Sequence, residues 1–86
     1  MLTAQDLENL AGSEEFFLGQ GLFRRALVRE TRRTRQDASY IVSDGDRRAR
    51  VLIGADGMTC DCGGRFCRHI VAAALFAMES GAMREI

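Results

Sequence analysis

Apolar residues change their spacing along this chain: they alternate through its middle and turn helical towards its end. From Cys67 onward, RHIVAAALFAMESG sets Ile70, Ala73, Ala74 and Ala77 on one face, while Val71, Leu75 and Met78 widen it. This predicts a helix without a breaker before Gly81, a natural residue to stand just past a helix end. A helix so apolar around its girth needs cover on more than one side, and its alanines allow close approach to a sheet.

The middle of the chain reads as strands. In ASYIVSDGDRRARVLIGADG two apolar runs flank SDGD; Tyr40 and Val42 share a face of the first, Val51 and Ile53 a face of the second. Asp44-Gly45 and Asp56-Gly57 fit hairpin turns. ALVRETRRT, with β-branched Val28 and Thr31 among charged neighbours, adds a strand ahead of them. An antiparallel meander of about three strands is expected, leading MTC into the residues that follow.

The start is helical. Thr3 suits an N-cap with Asp6 three positions on, an approximate capping box, and Gly12 suits its end. Ser13 is placed to cap a second helix whose first turn carries Glu14 and Glu15, where acids suit the dipole. Gly19 and Gly21 break into that pattern and predict a short helix followed by a turn. Phe16, Phe17, Leu18, Leu22 and Phe23 form the bulkiest apolar group outside the last helix and are expected to fill much of the core.

Composition narrows the setting. With 86 residues, 47 % apolar and 28 % charged, the chain suits one small globular domain spanning 1–86. A domain of this length buries only about 60–65 % of its unfolded surface, which makes a staple valuable. The longest apolar run, Ile70 to Met78, is nine residues, against roughly 20 for a membrane span. MLTAQDLENL has acids where an export signal starts basic, and three cysteines are an awkward number for internal disulfides. Both point to a reducing, cytoplasmic location, where clustered cysteines more often bind metal.

CDCGGRFCRH, residues 60–69, holds every cysteine and the only histidine. Cys60 and Cys62 can bite one ion if the backbone turns after them, and Gly63-Gly64 supplies that turn. Cys67 and His69 then fall at the first turn of the last helix and close the sphere as C-x-C-x4-C-x-H. One structural Zn2+ fits three thiolates and an imidazole, in a tetrahedron without redox demands. The net −1 of such a complex suits a helix N-terminus. Arg65 and Arg68 flank the site, either stabilising the thiolates or pointing to solvent. A Cys60–Cys62 disulfide would close a very small, strained loop and strand Cys67. An iron–sulfur cluster would accept the same residues but is less common in this setting than zinc.

A hydrolytic zinc keeps one position open for water beside a general base. Four protein ligands leave none, and Asp61, between two of them, makes a poor proton shuttle with an exposed side chain. The H-x-E and P-C-x-x-C signature of zinc deaminases is absent. No catalytic residue and no small-molecule substrate are expected; the metal holds a fold. The predicted class is α+β: an N-terminal helical segment over 1–24, a three-stranded antiparallel meander over 25–59, and a zinc knuckle with a C-terminal helix over 60–81.

The C-x-C and C-x-H pairs running into CRHIVAAALFAM resemble the SWIM zinc-finger family. FFLGQGLFRRALV and SYIVSDGDRRARVLIGADGMTCDC look like the stretches that precede the ligands in bacterial members, so the resemblance covers about 65 of the 86 residues. It implies Cys60, Cys62, Cys67 and His69 as ligands, Arg68 where lysine is frequent, and Ile70 as the aliphatic residue opening the helix. The gap of four residues between the pairs is short for the family, and Gly63 stands where proline is frequent. The resemblance also implies a small module binding DNA or protein, as in helicase-like ATPases of the chromatin-remodelling class.

Charge adds a candidate surface. All 12 basic residues are arginine, balanced by 12 acids, yet Arg24 to Arg50 holds nine arginines against Glu30, Asp37, Asp44 and Asp46, a net of +5. Arginine's fork suits phosphate, and a genome biased toward its codons gives the same composition. If strands turn Arg29, Arg33, Arg35, Arg48 and Arg50 to one face, with Arg32 near by and Arg65 and Arg68 at the edge, DNA or RNA could dock there. Such binding would be weak, non-specific and salt-sensitive, for no helix carries polar base readers and Tyr40 is the one stacking candidate. Two other uses fit the same arginines: a solvated face paired with the acidic N-terminal segment, or a protein partner such as a helicase-like ATPase. Exposure of Phe16, Phe17 or Phe23 would favour the protein partner.

Overall fold

Thr3 opens helix α1 (Ala4–Ala11) with the expected reciprocal pair. Its hydroxyl accepts the Asp6 N–H at 3.2 Å, and its own N–H donates to the Asp6 carboxylate at 2.8 Å. The computed structural model describes residues 3–55, 57–63 and 66–81. Gly12, at φ +89, ends α1 and is also the N-cap of α2 (Ser13–Arg24). Ser13 is therefore the first residue inside α2 and makes no capping bond.

The two glycines do not break α2, which departs from the short helix and turn that they suggested. A Cβ on Gly19 would lie 2.6 Å from both the Arg68 carbonyl oxygen and Val71 Cβ. The missing side chain lets α2 lie directly on α3 (Arg68–Ser80), and this packing outweighs a helix-propensity cost of about 1 kcal/mol per glycine. α2 then ends in a Schellman motif. The Leu27 N–H donates to the Leu22 carbonyl at 3.1 Å and the Ala26 N–H to the Phe23 carbonyl at 3.0 Å. Ala26 takes the left-handed place, φ 59, where glycine is usual.

Four strands follow: β1 (Val28–Arg33), β2 (Asp37–Asp44), β3 (Arg47–Gly54) and β4 (Gly57–Cys60). They form one antiparallel meander in the order β1-β2-β3-β4, one strand more than expected, because MTC joins the sheet with Cys60 opposite Val51. Asp44 pairs with Arg47, so Gly45 (φ +66) and Asp46 make the turn and Asp44 remains the last paired residue of β2. Asp56 of the second expected turn lies outside the described residues.

Alternation decides which side the helices cover. Ala38, Tyr40 and Val42 of β2 and Ala49, Val51 and Ile53 of β3 are buried, while Arg48, Arg50 and Leu52 between them are exposed. α3 lies across the buried side and touches every other element. Its residues His69 to Ala74, and Ala77, are all buried, as expected of a helix apolar around its girth. Tyr40 is fully buried, with its ring edge-on to Phe76 at 5.7 Å, which removes the one stacking candidate from the surface.

The bulky group of α2 divides. Leu22 is buried, Phe16 and Phe23 pack partly buried against the core, and Phe17 is 72 % exposed, contrary to its expected core place. Among the described residues no helix is long and apolar enough to cross a membrane.

Candidate metal centre

Three elements bring the four sequence-predicted ligands together. β4 ends on Cys60, the turn after it carries Cys62, and Gly63 at φ +83 begins the tight return. Gly64 and Arg65 lie outside the described residues. Cys67 is the N-cap of α3, and His69 sits in the first turn, 5 % exposed. One ligand atom from each of Cys60, Cys62, Cys67 and His69 lies within 4.8 Å of all the others.

Two of the spacings match a tetrahedral ion and a third is shorter. Bonds of about 2.3 Å to sulfur and 2.0 Å to nitrogen place the ligand atoms of a tetrahedron about 3.5–3.8 Å apart. Here His69 Nδ1 stands 3.8 Å from Cys60 Sγ and 3.7 Å from Cys67 Sγ, and the Cys62 and Cys67 sulfurs are 3.3 Å apart. None of the three cysteines is in a disulfide. Burial pushes the Cys60 thiol up to about 12 and the Cys67 thiol above its ordinary range, although the Ile70 and His69 N–H groups pull Cys67 back. A dication must therefore displace protons to bind here, and affinity should rise with pH.

Two residues reach the centre from far along the chain, and neither was assigned there from sequence. His69 Nε2 is 2.9 Å from Asp44 Oδ2. Asp44 occupies the inward parity of β2, continuing Ala38, Tyr40 and Val42. An acid in a core-facing phase is the sequence signal for this contact. Glu15 accepts the Arg68 backbone N–H at 3.0 Å and the Arg68 guanidinium at 3.1 and 3.4 Å. Arg68 is thus neither on the thiolates nor loose in solvent. Asp61 is exposed as expected, but its carboxylate accepts the Arg50 N–H at 3.0 Å and prolongs the β3 edge towards the ligands.

The arginines separate into groups. Arg29 is opposite Ile41, and Ile41 is opposite Arg50, so the two guanidinium stems flank one cross-strand row on the uncovered face. Arg48 lies opposite Ser43 on that face, and Arg32 opposite Ser39 beyond the bulge in β1. Arg33 pairs across from the buried Ala38, on the other side of the sheet. It contacts Glu30 at 3.1 Å and the Ser80 hydroxyl of α3 at 3.1 Å, so it does not join the expected single face. Arg35 is exposed in the β1–β2 connection. Compared with family models, with curated proteins and with solved structures, the chain matches none.

The donor set thus gives an α+β module with a Cys3His cluster that could hold a metal ion. Cys60, Cys62, Cys67 and His69 would hold the ion, which would there cross-link β4, the following turn and the start of α3.

Proposed function

We propose that this chain is a non-enzymatic, SWIM-like module in which one structural Zn2+ fixes the fold and the uncovered sheet face binds nucleic acid, DNA first, through phosphates. The metal part rests on the four converging donors, which could fill a tetrahedron and would then leave no position for substrate. The binding part rests on one observation: Arg29, Arg32, Arg48 and Arg50 lie on the side that the helices leave open, and among the described residues none of them is in an ion pair. Around them stand Ser39, Ser43 and Thr59, hydroxyls suited to phosphate oxygens. Among the described residues this face has no aromatic side chain to stack on a base, so contact should be to the backbone and indifferent to sequence.

Titration of the zinc-loaded chain with labelled single- and double-stranded DNA and RNA at two salt concentrations tests this. Saturable binding with a log–log salt slope of about −3 to −4 on duplex DNA is expected if all four arginines contact phosphates. Arg48→Ala/Arg50→Ala should lose most of it and Arg33→Ala little. Absence of saturable, salt-sensitive binding sinks the nucleic-acid assignment.

One observation favours a protein partner instead. Phe17, 72 % exposed, lines a cavity on the helical side together with Arg24 and Arg25, and Leu10 of α1 is 57 % exposed. A photo-crosslinking residue at position 17 that captures a single protein, with no nucleic-acid binding in the titration, would decide for this second assignment.

A further inference from the structure

We infer that Asp44 is the positioning residue of the metal centre: it holds the His69 ring in the orientation and tautomer that offer Nδ1 to the ion, and so ties the β2–β3 turn to metal occupancy. This rests on the metal assignment above and goes beyond it, since Asp44 ligates nothing itself.

A neutral imidazole carries one N–H, and only the other nitrogen can ligate. In His69 the two nitrogens face different partners. Nδ1 looks at the Cys60 and Cys67 sulfurs, while Nε2 lies 2.9 Å from a carboxylate oxygen. An ionised carboxylate only accepts, so the proton belongs on Nε2 and the Nδ1 lone pair is left for the metal. A 180° flip about Cβ–Cγ would exchange Nδ1 with Cδ2 and Nε2 with Cε1, turning ring carbons to both the sulfurs and the carboxylate. Burial of His69 at 5 % exposure makes an unpartnered ring N–H costly, which adds a second reason for the ring to stay as it is.

The carboxylate can do this because of where the strand stops. Asp44 is the last paired residue of β2, opposite Arg47, and it keeps the inward phase of the strand. Residue 46, the other acid of the turn, is exposed and lies outside that phase. The end of the hairpin that carries Arg48 on its opposite face is therefore hydrogen-bonded to the start of α3 through Asp44 and His69. Partners of this kind, one shell beyond the ligands, typically contribute 10–100-fold to metal affinity.

The test is competition for Zn2+ against a chromophoric chelator, with the full chain and its Asp44→Ala, Asp44→Asn and Asp46→Ala variants. Nitrogen-15 spectra of the His69 ring are recorded on the zinc-loaded samples. Expected are a 10–100-fold weaker affinity for Asp44→Ala, a smaller loss for Asp44→Asn, which keeps an acceptor oxygen without its charge, and no change for Asp46→Ala. The wild-type ring should show its proton on Nε2, and the Gly45 and Asp46 amides should shift on zinc loading in the wild type but much less in Asp44→Ala. If Asp44→Ala does not fold, Asp44→Asn carries the comparison. Affinity within twofold of wild type in the folded Asp44 variants, or a wild-type ring protonated on Nδ1, overturns the inference. Failure of the wild-type chain to take up zinc at all would instead overturn the metal assignment on which it rests.

Discussion

Glu15 of α2 caps α3 from outside, accepting the Arg68 backbone N–H at 3.0 Å while its other oxygen takes the Arg68 guanidinium at 3.1 Å. Cys67, the formal N-cap, makes no side-chain capping bond, so a carboxylate from 53 residues away supplies it. This leaves the Cys67 sulfur for the metal and still places a negative charge at the positive end of the helix. Glu15→Gln should lower the unfolding free energy by about 1 kcal/mol, the usual worth of a cap, measured by urea unfolding in saturating zinc.

The same contact makes a pH prediction. Burial works to raise the Glu15 pKa, but the Arg68 hydrogen bonds and charge outweigh it and leave the group below its usual 4.5. A depressed carboxylate stabilises the fold fully above its unfolded pKa and loses that contribution as pH falls through the folded value. The stability gap between wild type and Glu15→Gln should therefore be constant from pH 7 to about 5.5 and shrink below pH 4.5. A gap that stays constant into acid would contradict the contact.

Two glycines in one helix should respond oppositely to alanine. Gly19→Ala drives a Cβ to within 2.6 Å of the Arg68 carbonyl oxygen and the Val71 side chain and should destabilise by about 2 kcal/mol. Gly21→Ala meets nothing within 4 Å and should stabilise by about 0.5–1 kcal/mol through helix propensity. Thermal unfolding of the two variants side by side checks both signs.

Ala26 invites the reverse exchange. Its left-handed backbone, φ 59, is unfavourable for a residue with a Cβ, and glycine would relieve it at some cost in unfolded-chain entropy. Ala26→Gly should gain about 0.5–1 kcal/mol net, again read from unfolding curves.

Metal removal should act on the whole domain. Structural zinc contributes on the order of 10 kcal/mol in small modules, more than a core of this size holds in reserve. Because α3 starts at two of the ligands and touches all six other elements, chelation should collapse amide dispersion throughout and not in the knuckle alone. Cys67→Ser should abolish uptake of one zinc per chain. A metal-free protein with an unchanged amide spectrum would contradict this.

What was legible in the sequence was what is local. The candidate ligand set lies within ten residues, and its spacing alone points to a possible metal site; the Thr3–Asp6 box, the alternation of β2 and β3 and the Gly81 terminus are equally short-range. Glu15 and Asp44 escaped assignment because their partners are 53 and 25 residues away. Gly19 misled for the same reason: its cost is paid locally, and its gain, contact with α3, is tertiary. Phe17 misled in the opposite direction, since bulk and apolarity carry no information about which face of α2 meets the core. Arg33 left the predicted face because the irregularity between Glu30 and Arg32 shifts the strand's phase.

The sheet's borders also limit how another molecule can approach. One border, β1, has an irregular register between Glu30 and Arg32 and carries Arg29, Arg32 and Arg33; the other, β4, is four residues long and ends on Cys60. Neither offers the long flat margin on which a foreign strand could lengthen the sheet. Whatever associates with this module must come to it broadside.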